Sequence, residues 1–126
     1  MALEILGLER AIGFLRPGGR LAIVLPESIF SADSTAYVRE WLATKVKVRA
    51  IVSLPIETFS PFGANVKTGV LFARKWKSGE AVSASHKVCM LKIEAVGYDA
   101  SGRPKAADDL REASSILEQF LRSEGW

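Results

Sequence analysis

A chain of 126 residues with a net charge of +3, 48% hydrophobic and 25% charged, has the composition of one globular domain or a piece of one, which excludes disorder as its main state. Its longest apolar run, LAIVLP, is too short to span a bilayer, and the N-terminus lacks the basic start, apolar stretch and small-residue cleavage site of a secretory signal, so no membrane partner and a cytoplasmic location are expected. A single cysteine, Cys89, and a single histidine, His86, exclude an internal disulfide and a zinc site, and in VCML the cysteine reads as a buried small hydrophobe.

The chain begins with LEILGLERAIGFL, whose apolar residues Ile5, Leu8, Ile12 and Leu15 recur three or four apart, the spacing of an amphipathic helix. Pro17 with Gly18 or Gly19 ends it. RLAIVLP is a continuous, branched apolar run, which predicts a strand covered on both faces, as in a parallel sheet flanked by helices. STAYVREWLATK predicts a second helix, capped by Ser34 or Asp33, with Tyr37, Trp41 and Leu42 as its apolar stripe. VRAIVSLP is a second buried strand and KTGVLFARKW a third. This alternation of helices and strands is α/β order.

A parallel pairing of the second and third strands needs a crossover of a dozen or more residues, usually helical. IETFSPFGANVK contains Pro61 and Gly63 and has no helical period, so the third strand is expected to run antiparallel to the second. KVCMLKIEAV alternates well enough for a fourth strand, placed at an edge because Lys87, Lys92 and Glu94 interrupt it. YDASGRP reads as a turn. DDLREASSILEQFLRSE reads as a closing helix with Leu110, Ile116, Leu117, Phe120 and Leu121 on its apolar side.

Charge is unevenly spread. Residues 1–77 hold 11 Lys/Arg against 6 Asp/Glu, whereas residues 78–126 hold 6 against 8. The basic part would suit a phosphate-backbone partner, but on charge alone an ordinary solvated surface is the better reading.

FLRPGGRLAIVLPESIF, then YVREWLATKVKVRAIVSLPIETFSPFGANVKTGVLFARK, then AVGYDASGRP resemble, in order and spacing, the N6-adenine DNA methyltransferases, specifically the modification (M) subunits of type I restriction systems. The resemblance covers roughly residues 5–105. It implies a partial class I S-adenosylmethionine-dependent methyltransferase (Rossmann-like) fold, a mixed sheet with an antiparallel last strand and flanking helices. Residues 1–105 are then the C-terminal half of the catalytic domain, and 106–126 a C-terminal helix. For the parent enzyme it implies S-adenosylmethionine as cofactor, DNA as substrate, and specificity and restriction subunits as partners.

The family's Gly-rich cofactor loop and its Asn-Pro-Pro motif are both absent from this sequence. The only Gly pair, Gly18–Gly19, precedes a strand instead of joining a strand to a helix, the wrong context for a cofactor cradle. No cofactor and no catalytic activity are therefore expected of this chain alone, and no catalytic or metal-binding residue is assigned.

Phe59 and Phe62 sit on a loop rich in Pro and Gly, where apolar side chains are hard to bury. Enzymes that modify a base in a duplex extrude it and hold it by aromatic stacking. The resemblance places that role on Phe62, with Phe59 the second candidate; the competing reading is that either ring folds back onto the core. Asn65, Lys67 and Thr68 are candidates for polar or phosphate contacts. Glu27 and Ser28 follow a strand whose carboxyl end faces the ligand in open α/β sheets, so they are candidates to line the pocket. An alternative function is a non-catalytic assembly or DNA-binding module. In that reading a sheet edge left bare along RLAIVLP pairs with a second copy or is covered by another segment, such as the C-terminal helix.

Overall fold

The computed structural model describes residues 3–83 and 85–126. Helix α1 (Leu3–Phe14) turns Ile5, Leu8 and Ile12 onto the sheet. It stops at a turn in which Gly18 takes φ 80° and its N–H donates to the Lys75 carbonyl at 3.0 Å. The Lys75 ammonium donates to the carbonyls of Ile12 (3.1 Å) and Leu15 (2.9 Å), satisfying acceptors that a helix end leaves open. Strand β1 (Arg20–Pro26) leads into the one-turn helix α2 (Ser28–Ser31) and then a 3-10 turn at Asp33–Thr35.

Helix α3 (Ala36–Lys45) starts from that turn without a side-chain cap, so neither Ser34 nor Asp33 plays the expected part. The polar groups there serve α2 instead. Thr35 Oγ1 donates to the Ser28 carbonyl at 2.6 Å, and the Arg39 guanidinium donates to the carbonyls of Ile29 (3.0 Å) and Ala32 (2.9 Å). The inward stripe of α3 runs through Val38 and Leu42 with Trp41 half-buried. Tyr37, expected on that stripe, is exposed, because it lies about 100° around the helix from Val38.

Strands β2 (Val46–Leu54), β3 (Thr68–Lys75) and β4 (Cys89–Lys92) join β1 in one sheet of order β1–β3–β2–β4. β3 is antiparallel to β2, as expected, and also to β1, between which it lies; β4 runs parallel to β2 at the far edge. The register brings Pro26, Thr68 and Leu54 side by side, so the carboxyl ends of β1 and β2 meet the start of β3 at one end of the sheet.

The expected fourth strand is split. Ile93 still donates to the Ser53 carbonyl at 2.8 Å, but the Asp109 carboxylate accepts the next two N–H groups, of Glu94 (3.1 Å) and Ala95 (3.0 Å), and turns the chain away. The remainder becomes β5 (Val96–Tyr98), paired antiparallel with β6 (Pro104–Asp108) in a separate hairpin around the expected YDASGRP turn. β6 had no signal: PKAAD lacks β-branched and aromatic residues, and all of it is exposed. Helix α4 (Leu110–Ser123) closes the chain. Leu121 is buried and Leu117 half-buried, while Leu110 and Ile116, expected on the apolar side, are largely exposed.

Two clusters of apolar side chains form the core, one on each face of the sheet. Under α1 and α3 lie Leu25, Leu71, Ala73 and Val46; on the opposite face Val52, Leu54, Val70 and Phe72 meet Ala113 and Leu117 of α4. β2 contributes to both because an extra residue, Arg49, shifts its register between Val48 and Ala50 and reverses its alternation. The prediction that RLAIVLP is covered on both faces fails. Leu21, Ile23 and Leu25 pack inward, whereas Arg20, Ala22 and Val24 face outward and are exposed. Apolar residues on both faces of a strand require two apolar neighbours, and this chain supplies one. Among the described residues β1 pairs only with β3, and α4 lies across the face of the sheet and leaves the β1 edge bare. Cys89 is half-buried on the edge strand.

Candidate functional site

The candidate residues gather where β1 and β2 end and β3 begins. The chain leaves β2 at Leu54 and makes two consecutive 3-10 turns, Ile56–Thr58 and Ser60–Phe62, before entering β3 at Thr68. The loop is internally bonded. Thr58 N–H donates to the Pro55 carbonyl (3.1 Å), Phe62 N–H to Phe59 (3.0 Å), Gly63 N–H to Ser60 (3.0 Å) and Ala64 N–H to Phe59 (3.2 Å). Gly63 terminates the second turn at φ 88°, a left-handed value costly for any residue with a Cβ, and no atom crowds it.

The two aromatic candidates part company on this scaffold. The Phe59 ring packs against the buried cluster of Val52, Leu54, Ile93 and Val96 and is half-buried. Phe62 is 79% exposed. Phe59 thus has a packing role that accounts for its presence in the loop, and Phe62 has none. An exposed ring on an internally hydrogen-bonded turn offers its face to a flat partner, although exposure alone does not require one, as the 82% exposed Phe14 shows.

The other candidates divide similarly. Lys67 and Glu27 form an ion pair at 3.4 Å, and the Glu27 N–H donates to the Lys67 carbonyl at 2.9 Å, so the two loops are joined at this end of the sheet. Each side chain is about two-fifths exposed, so the pair stabilises the fold little, and it occupies the charge that either would offer a ligand. Ser28 and Asn65 are exposed. Thr68 is 5% exposed, and its hydroxyl meets no partner among the described residues, so it is not presented to a large ligand. Gly69 is packed by Phe30, whose ring carbon would stand 2.8 Å from an added Cβ, which ties α2 to the start of β3.

Sequence reasoning missed Tyr98, whose hydroxyl donates to the Thr58 carbonyl at 2.6 Å, and the packing of Gly102 against Pro61. Nothing in the local pattern of YDASGRP signals a contact forty residues upstream. Among the described residues, no group of three or more His, Cys, Asp or Glu could hold a metal, and no helix is long and apolar enough to cross a membrane.

The comparisons with known proteins agree with this architecture. The model of the family described as N-6 DNA Methylase matches residues 6–122. Among solved structures, a putative class I S-adenosylmethionine-dependent methyltransferase from Listeria monocytogenes superposes with a TM-score of 0.65 at 19% identity, covering 92% of this chain and 32% of its own. A chain from a structure described as "Structural basis underlying complex assembly and conformational transition of the type I R-M system" superposes with a TM-score of 0.71 at 22% identity, covering 99% of this chain and 26% of its own. No curated protein matches. At these identities the structural likeness speaks for the fold, a mixed α/β sheet of the class I methyltransferase kind, and this chain spans about a quarter to a third of the two solved chains. The family match runs over nearly all of the sequence and carries the further step: the chain belongs to the N-6 DNA methylase family.

Proposed function

We propose that this chain is the target-base half of an adenine-N6 DNA methyltransferase domain of the type I restriction-modification kind. In the complete enzyme, methyl passes from S-adenosylmethionine to adenine in DNA, with specificity and restriction subunits as partners. Residues 1–105 carry the catalytic-domain portion, and the remainder completes β6 (Pro104–Asp108) and forms α4 (Leu110–Ser123), which covers one face of the sheet. The observation that carries the reading is the exposed Phe62 ring, held on a bonded turn at the carboxyl ends of β1 and β2. Stacking of an extruded base on such a ring contributes roughly 1–3 kcal/mol. Ser28 and Asn65 are exposed polar groups of the same end, and the Glu27–Lys67 pair joins its two loops.

The residues present do not fit S-adenosylmethionine. The Gly18 turn lies at the opposite end of β1 under the Lys77 side chain, and the carboxylate that follows β1, Glu27, is paired with Lys67. No step is assigned to the cofactor on this chain; it belongs to the part of the domain that carries the Gly-rich loop and the Asn-Pro-Pro motif. Calorimetric titration with S-adenosylmethionine is expected to show no saturable heat, and micromolar binding would overturn this division of labour. In a reconstituted full-length enzyme, Phe62→Ala is expected to lower kcat/KM for DNA by about 5- to 150-fold while leaving cofactor affinity unchanged. Normal methylation by that variant would end the assignment.

The bare edge of β1 supports a second reading, in which this chain is an assembly module. Its outward-facing Ala22 and Val24, the latter 48% exposed, lie beside unpaired strand groups. Such an edge pairs with a second copy or with a strand of the remaining domain. A dimer whose β1 amides are protected from exchange, in a chain that binds no adenine oligonucleotide, would favour the assembly reading.

A further inference from the structure

We propose that the β5–β6 hairpin is the positioning device of the Phe62 loop, with Tyr98 as its key residue; the functional half of this inference rests on the reading of Phe62 given above. The hairpin touches the loop at three points on the residues that precede Phe62. The Tyr98 hydroxyl donates to the Thr58 carbonyl at 2.6 Å. The Tyr98 ring shares an apolar cluster with Phe59. Gly102, at φ 88°, brings its backbone against Pro61, where an added Cβ would lie 3.3 Å from the proline Cβ. Thr58, Phe59 and Pro61 are therefore all held, and Phe62 follows with its N–H bonded to the Phe59 carbonyl and its ring exposed.

The hairpin is itself stiffened for this task. At its turn the Asp99 carboxylate accepts the Ser101 hydroxyl (2.7 Å) and the N–H groups of Ser101 (2.9 Å) and Arg103 (2.9 Å), and these bonds hold its pKa below the ordinary carboxylate range. The Asp99 N–H bonds to the Arg103 carbonyl and the Gly102 N–H to the Asp99 carbonyl, each at 2.9 Å. The base of the hairpin is anchored where Val96 is buried. A ring carried on a loop fixed in this way loses little conformational freedom when a flat partner stacks on it, so more of the stacking energy appears as affinity. A positioning residue thus acts on the ligand without touching it.

Tyr98→Phe removes the hydroxyl and keeps the ring in its cluster. In the full chain, amide exchange at Phe62, Gly63 and Ala64 is expected to speed up by roughly three- to tenfold, with the amides of β2 and β3 unchanged. Gly102→Ala, which disturbs the Pro61 contact from the other side, is expected to speed the same three amides. For a single-stranded adenine oligonucleotide, Tyr98→Phe is expected to weaken binding about two- to fivefold, by a smaller factor than Phe62→Ala. Unchanged exchange at 62–64 in Tyr98→Phe, or a uniform rise across the whole sheet, overturns the positioning role. If exchange responds as expected but Phe62→Ala leaves oligonucleotide affinity intact, the brace stands and the base-stacking reading falls.

Discussion

The two faces of the sheet are built to different standards. Under α1 and α3, Leu8, Leu71 and Ala73 lose all exposure, and Leu25, Val38 and Val46 nearly all of it. The other face is closed over β2 and β3 by α4, but over β1 it holds only Arg20, Ala22 and Val24, with the Trp126 ring standing edge-on to Phe72 at 6.4 Å and the Arg20 guanidinium above it at 5.6 Å. The first face is a finished core. The second is apolar along β1 without being covered. The difference separates the face that this chain closes for its own folding from the face that it leaves open.

The largest effect belongs to the finished face. Leu71→Ala, in the middle of β3 and fully buried, is expected to cost about 2–5 kcal/mol in denaturant unfolding. A loss under 1 kcal/mol would mean that the α1/α3 face is not the principal core.

On the other face, Arg49 is 3% exposed in the bulge of β2, with its guanidinium 5.7 Å above the Phe120 ring and its Nε meeting no acceptor among the described residues. A buried charge without a carboxylate partner opposes folding, so Arg49→Met is expected to raise stability by roughly 1–3 kcal/mol. A fall of similar size would show that the cation has a counter-charge in the folded chain.

A smaller effect is pH-dependent. The Glu80 carboxyl is held down to about 2 by its hydrogen bond with Arg74 and then by the Lys77 N–H. Because its folded pKa lies below the unfolded one, the contribution is present above about pH 4.5 and disappears as pH falls toward 2. Glu80→Gln is expected to flatten the acid limb of the stability profile in that window, and an unchanged limb would contradict the pairing.

The smallest shift is expected at Val24 on the open strand. Val24→Ser should change the stability of the isolated chain by less than about 0.5 kcal/mol while weakening any self-association seen by light scattering. A large loss of stability would mean that this face is covered after all.

Which parts of this were legible in advance follows from what each signal measures. The strands around Ile23, Ile51 and Leu71 were legible because branched apolar runs bounded by Pro and Gly describe a strand whatever surrounds it. The antiparallel course of β3 followed from a linker too broken for a crossover helix. The bare edge of β1 was expected from the resemblance, but its exposed outer face was not legible, since RLAIVLP records that both faces need apolar neighbours and is silent on which chain supplies them. The split after Ile93 was hidden because it depends on the Asp109 carboxylate, fifteen residues beyond the Glu94 N–H that it accepts. At the site, the two loop aromatics were plain and the resemblance ranked Phe62 before Phe59, but the contact of Tyr98 and Gly102 with the loop is a tertiary event that no local pattern signals.

The central claim is that Phe62 is displayed for a flat partner while the residues around it are held in place. Titration of the full 126-residue chain and its Phe62→Ala variant with a single-stranded adenine oligonucleotide, followed by NMR shifts of the Phe62, Gly63 and Ala64 amides, tests it directly. Shifts centred on those amides are expected in the parent chain and an affinity about 5- to 150-fold lower in the variant, with unfolding midpoints alike. Equal affinities, or shifts that avoid this loop, would contradict it.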